Sequence, residues 1–92
     1  MNIRWTQTAL LDLESLHAYV AEDSLAAATE VVERILSGIE ALARHPEMGR
    51  KGRVSGTREL IVAPYVVAYR VARGTVALIA IIHSARRWPD TF

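Results

Sequence analysis

Apolar residues recur along the first half of the chain at helical spacing and along the second half at strand spacing. Ala9, Leu13, Leu16 and Val20 form one stripe, widened by Leu10 and His17, and they predict a helix over about Gln7–Ala21. Thr6 supplies an N-cap hydroxyl, and Glu22, Asp23 and Ser24 break the pattern and supply new N-cap candidates. Ala28, Val31, Val32, Ile35, Ile39 and Leu42 then mark a second helix over about Leu25–Arg44, ended by His45–Pro46. Gly38 inside it predicts close packing, since glycine in a helix interior otherwise costs up to about 1 kcal/mol. So short a break makes the two helices an antiparallel hairpin.

Asn2–Trp5 reads as a short strand ahead of this hairpin. Glu47–Gly56 reads as a loop, punctuated by Gly49, Gly52 and Gly56. Arg58–Ala63, Val66–Ala72 and Thr75–His83 read as strands. Pro64 interrupts the first two, because it cannot donate to a ladder. Arg73–Gly74 fits a tight hairpin turn with glycine at positive φ. The last strand is apolar on both faces and is expected in the sheet interior. Ser84–Phe92 is a polar tail anchored by Trp88–Pro89. The order β-α-α-β-β-β predicts an α+β fold, with the hairpin on one face of a small, mainly antiparallel twisted sheet. The other face is left partly open. The 92 residues are expected to form a single domain.

Charge sharpens this picture. Residues 1–43 hold two arginines against seven carboxylates, a balance of −5. Residues 44–92 hold nine Lys or Arg against three carboxylates, a balance of +6. The second half is therefore expected to face something anionic, or else to attract the acidic half within the fold. The chain has no cysteine, which excludes a thiolate metal site and fits a reducing compartment. Its start lacks a signal-peptide pattern and no apolar run approaches the ~20 residues of a membrane span, so a cytoplasmic protein is expected. His17, His45 and His83 have no ligand spacing, so neither metal nor cofactor is expected.

The remaining candidates are cations. Arg58 opens one strand, Arg70 closes the next, and His83, Arg86 and Arg87 end the last. Arginines with one imidazole bind phosphate and titrate near neutrality if the strand ends converge at one edge. The alternative is structural: Arg58 or Arg70 pairs with Glu59, Glu47 or a helix acid. Trp5 and Trp88 are read as packing anchors.

Several strings resemble one family along nearly the whole chain. They are Trp5-Thr6-x-x-Ala9-x-x-Asp12-Leu13, Tyr19-Val20-Ala21, Ala26-Ala27 and Leu42-x-x-His45-Pro46-x-x-Gly49-Arg50. Gly52-Arg53-Val54-x-Gly56-Thr57-Arg58-Glu59-Leu60, Pro64-Tyr65-Val66-Val67-x-Tyr69-Arg70-Val71 and His83-x-Ala85-Arg86-x-Trp88-Pro89 follow in order. Together they resemble the RelE/ParE toxins; Leu25 departs from a proline frequent there. The resemblance implies a growth-inhibiting toxin of a type II toxin–antitoxin module, held in a hetero-oligomer by an acidic ParD- or RelB-like antitoxin. RelE-like members cut messenger RNA on the ribosome, whereas ParE-like members poison DNA gyrase. A third possibility is a toxin fold that only binds a partner. The lone lysine, Lys51, the Trp88–Pro89 ending and the long hairpin favour the gyrase target. Target-binding candidates are Arg50, Arg53, Arg58, Arg70, His83, Arg86 and Arg87. Under the nuclease alternative Arg70, His83 and Arg86 are the catalytic candidates.

Overall fold

The computed structural model describes residues 1–92. The elements are β1 (Asn2–Trp5), α1 (Gln7–Ala21), α2 (Leu25–Arg44), β2 (Arg50–Lys51), β3 (Arg58–Val62), β4 (Tyr65–Ala72) and β5 (Thr75–His83). The five strands form one sheet in the order β1-β5-β4-β3-β2. β1 runs parallel to β5, and the other pairings are antiparallel. The two helices pack on one face, as the alternation of the strands and the stripes of the helices require.

Each helix begins where a hydroxyl can cap it. Thr6 Oγ1 accepts from the Ala9 amide at 3.1 Å and donates to the Leu78 carbonyl at 2.7 Å, so the cap also ties α1 to β5. Ser24 Oγ accepts from the Ala27 amide at 3.1 Å. Ala9 and Leu16 of α1 meet Ile35, Ile39 and Leu42 of α2 over Leu60, Tyr65, Val67, Tyr69, Val76, Leu78 and Ile81 of the sheet. Each large side chain in this layer contributes about 1.5–3 kcal/mol by leaving water. A Cβ on Gly38 would stand 3.1 Å from Leu60 Cδ2, so α2 does lie close upon β3 there.

Three features differ from the sequence expectation. Arg50–Lys51, read as loop, form an edge strand against Glu59 and Arg58; two residues between glycines are too few to show a period. The β4–β5 turn holds both Arg73 (φ 52°) and Gly74 (φ 74°) in the left-handed region, as a type I′ turn requires, so glycine is not alone there. Finally, β3 stops at Val62 and β4 starts at Tyr65, one residue from the expected Ala63 and Val66. The face opposite the helices is partly open, as expected. Trp88 of the tail packs against Ala68, Ala80 and Ile82. β5 lies in the interior as expected, between β1 and β4.

The exit of α2 is pinned to the sheet by one phenol. Tyr69 is fully buried; its hydroxyl donates to the Pro46 carbonyl at 2.7 Å and accepts from the Gly49 amide at 3.0 Å. A Cβ on Gly49 would stand 2.5 Å from that oxygen, which explains the glycine. Burial pushes the Tyr69 phenol above its usual value of 10.0, against the opposing pull of the Gly49 amide and the Arg58 charge. An acid held neutral in the fold stabilises it below its ordinary pKa and ceases to do so as the pH climbs past it. Tyr69→Phe leaves both backbone groups without a partner and is expected to cost about 1–3 kcal/mol at neutral pH. Chemical denaturation from pH 7 to 11 checks both points. The wild type is expected to lose stability above pH 10, and the gap to the variant to narrow there.

Candidate functional site

Three of the seven cationic candidates are engaged within the fold. Glu59 alternates onto the sheet face opposite the helices, where it is 1% exposed. Its Oε1 accepts from Arg50 Nη2 at 2.9 Å and Nε at 3.2 Å, and from Arg53 Nη2 at 3.2 Å. Its Oε2 accepts from the Arg53 amide at 2.7 Å and Arg53 Nε at 3.3 Å. The Arg53 guanidinium also lies 3.8 Å from the centre of the Trp88 ring, so the same arginine holds the tail. Arg58 points to the other face. Its Nη1 donates to the Gly49 carbonyl at 2.8 Å and approaches the Glu47 carbonyl at 3.4 Å. The structural alternative therefore holds for Arg58, through backbone carbonyls rather than a carboxylate.

Arg70, His83, Arg86 and Arg87 are exposed, and none of their side chains donates a hydrogen bond to the protein. The expected convergence of strand ends does not occur. Arg70 pairs with Ala77 near the start of β5, whereas His83 at its end pairs with Tyr65. Six residues of strand separate those positions, roughly 20 Å at ~3.3 Å per residue. In a hairpin the end of one strand adjoins the start of the next, so Arg70 and His83 belong to opposite ends. They also belong to opposite faces, because Arg70 is out of phase with the core residues Tyr65, Val67 and Tyr69.

What gathers around His83 is a hollow of about 480 Å³ between α1 and the far end of β5, lined by Asp12, Ser15, Tyr19, Tyr65, His83 and Arg86 among others. The bulge creates it. Counting back from the Arg73–Gly74 turn would set Tyr65 against Ile82; a one-residue shift at Ile79 brings His83 there instead. The His83 ring meets Tyr65 edge-on at 5.3 Å. Its Nδ1 accepts from the Ala85 amide at 3.0 Å, so the neutral ring carries its proton on Nε2. Nε2 is then a hydrogen-bond donor. Asp12 Oδ2 accepts from the Ile81 amide at 2.9 Å, satisfying β5 beyond the end of β1. The hollow thus offers donors from His83 and Arg86 beside one carboxylate already partly engaged. Sequence reasoning did not place Asp12, Tyr19 or Tyr65 at the site: the bulge hid the register that sets Tyr65 against His83, and Asp12 and Tyr19 reach it only through the packing of α1 on the sheet.

The Glu59 cluster yields a direct test. Burial alone would raise the Glu59 pKa, but the hydrogen bonds from Arg53 and Arg50 outweigh it and hold the carboxyl below its ordinary 4.5. A carboxylate with a lowered folded pKa stabilises the fold above its unfolded value and loses that contribution as the pH falls. Glu59→Gln is expected to cost about 2 kcal/mol at pH 7, from weakened charge-assisted hydrogen bonds. Urea unfolding across pH 3–7 should show the wild type declining below pH 4.5 while the variant lacks that limb.

Known proteins share this frame. Residues 3–88 match the family model described as the ParE toxin of the type II toxin–antitoxin system parDE. Putative toxin Y4kP of Sinorhizobium fredii is 43% identical over 90 residues, covering 96% of this chain and 93% of that one. Toxin RelE2 of Caulobacter vibrioides is 37% identical, covering 89% of this chain and 93% of its own. Among solved structures, the chromosomal ParDE system of P. aeruginosa superposes with a TM-score of 0.78 at 25% identity, covering 90% of this chain and 95% of that one. The RelBE2 toxin–antitoxin complex of Mycobacterium tuberculosis gives 0.60 at 28% identity, covering 89% and 95%. With the two-helix layer on a mixed sheet already established, the chain belongs to the ParE toxin family and is a toxin of the type II toxin–antitoxin class within the RelE/ParE superfamily.

Proposed function

We propose that this toxin arrests growth by poisoning DNA gyrase in the cytoplasm, and that an acidic antitoxin holds it inactive in a hetero-oligomer. One observation carries the choice of target: the cationic candidates are dispersed. Arg50, Arg53 and Arg58 are engaged in the fold, and Arg70 and His83 stand at opposite ends and on opposite faces of the sheet. General acid–base cleavage of RNA needs a phosphate clamp within hydrogen-bond reach of a group that takes the proton. Inhibition of a protein needs apolar area and a few arginine anchors. The match to the ParE family model and the higher TM-score with the ParDE system support the same reading.

The antitoxin has a surface to cover. Leu10, Leu11, Tyr19, Leu25 and Leu36 of the hairpin are exposed, and Leu13, His17 and Val32 line a hollow between the two helices. An amphipathic helix laid on a groove buries side chains of this kind. Its acidic residues would meet the basic second half of the toxin.

The nuclease reading has its own support. Two relatives carry the name RelE, and His83 and Arg86 share a hollow with Asp12. Inducing the toxin without an antitoxin separates the two. The gyrase reading predicts that replication halts and the DNA-damage response rises within minutes, with transcripts intact. It also predicts that His83→Ala leaves growth inhibition within a few-fold of wild type. Cuts in ribosome-bound transcripts, normal supercoiling and a 10²–10⁴-fold loss in the His83 variant would establish the nuclease instead.

A further inference from the structure

The face away from the helices carries a second basic feature, remote from His83. Arg4 of β1 and Arg70 of β4 both pair in register with Ala77 of the intervening β5. Their side chains leave the sheet on the same side, since Ile3 and Trp5, like Val76 and Leu78, face the helical core. Two strand spacings set their Cα atoms roughly 10 Å apart. Arg73 completes the group from the β4–β5 turn, in a left-handed conformation that Asn or Gly would adopt at lower cost. The three arginines, with Ala72, Thr75 and Ala77 as floor, enclose a hollow of about 330 Å³. All three are exposed, none forms an ion pair, and none donates a side-chain hydrogen bond to the protein. No carboxylate lines the hollow.

We infer that this hollow grips the phosphodiester backbone of duplex DNA. Three unpaired guanidiniums around a shallow floor match backbone phosphates, whose two non-bridging oxygens together accept a bidentate pair of N–H donors. A protein partner would need an apolar anchor to bury, and the floor offers only two alanines and a threonine. A single strand would need an aromatic platform for its unstacked bases, and none lines the hollow. A duplex buries the stacking faces of its bases and lines its outside with phosphates, which is what this surface fits. The setting rests on the gyrase reading: a toxin seated on an enzyme that holds duplex DNA would touch enzyme and DNA together.

The test measures binding of a short labelled DNA duplex to the purified full-length chain across a series of salt concentrations. Each phosphate contact adds about 0.9 to the log–log salt slope, so three contacts give about −2.7. Arg4→Ala, Arg70→Ala and Arg73→Ala are each expected to flatten the slope by about 1. Arg44→Ala, at the end of α2, should leave it unchanged. Arg70→Lys should retain the slope, because lysine still neutralises a phosphate. Single-stranded RNA of equal length should bind more weakly. Unchanged slopes in the three alanine variants, an equal effect from Arg44→Ala, loss of the slope in the lysine variant, or tighter binding of the single strand would each overturn the inference. If those slopes do not change while the induced toxin still halts replication, the hollow is wrong and the gyrase reading stands. If transcripts are cut, the gyrase reading falls and the salt slopes still judge the hollow.

Discussion

A buried carboxylate on the second sheet face, beside the edge strand, organises the loop and the tail laid over that part of the face. Removing Glu59 from water without partners would cost several kcal/mol, so the fold must bring cations to it. Arg50 does so from β2, directly opposite Glu59 in the ladder, and Arg53 does so from the following loop with both its amide and its guanidinium. The edge strand, the loop and the tail that Arg53 holds through Trp88 thus depend on one acidic side chain. Tyr69 does the equivalent work on the helical side, binding the exit of α2 to the sheet through Pro46 and Gly49.

This arrangement divides the arginines of the basic half into two groups. Arg50, Arg53 and Arg58 satisfy acceptors of the protein itself, and their charges are partly neutralised or tied to backbone carbonyls. Arg70, Arg86 and Arg87 face solvent without partners, and Arg4 and Arg73 join Arg70 on the open part of the sheet. The lopsided charge of the sequence is thereby resolved. Its basic half is part scaffold and part surface, and only the surface part is available to a target or to an acidic antitoxin.

The helices and their caps were legible because a 3.6-residue period and two hydroxyls, Thr6 and Ser24, mark them locally. The interior place of β5 was legible from apolar residues on both its faces. Gly38 gave away the close approach of α2 to β3. What escaped depends on pairing between distant segments. β2 has two residues and no pattern of its own. The bulge at Ile79 leaves no mark in composition, yet it decides that His83 rather than Ile82 meets Tyr65. The pairing of Glu59 was equally hidden. Its neighbour Arg58 points to the opposite face of the same strand, so its partners had to come from residues six and nine positions upstream.

The division of the arginines is the claim on which the functional reading stands, and a single stability series measures it. Purified alanine variants of Arg50, Arg53, Arg58, Arg70, Arg86 and Arg87 would be unfolded in urea under one condition. Losses of about 1–3 kcal/mol are predicted for the first three, each of which gives up part-buried hydrogen bonds from a charged donor. Changes within about 0.5 kcal/mol are predicted for the last three, as for exposed side chains without partners. Equal losses across all six, or larger losses at Arg70 and Arg86 than at Arg53 and Arg58, would contradict the account.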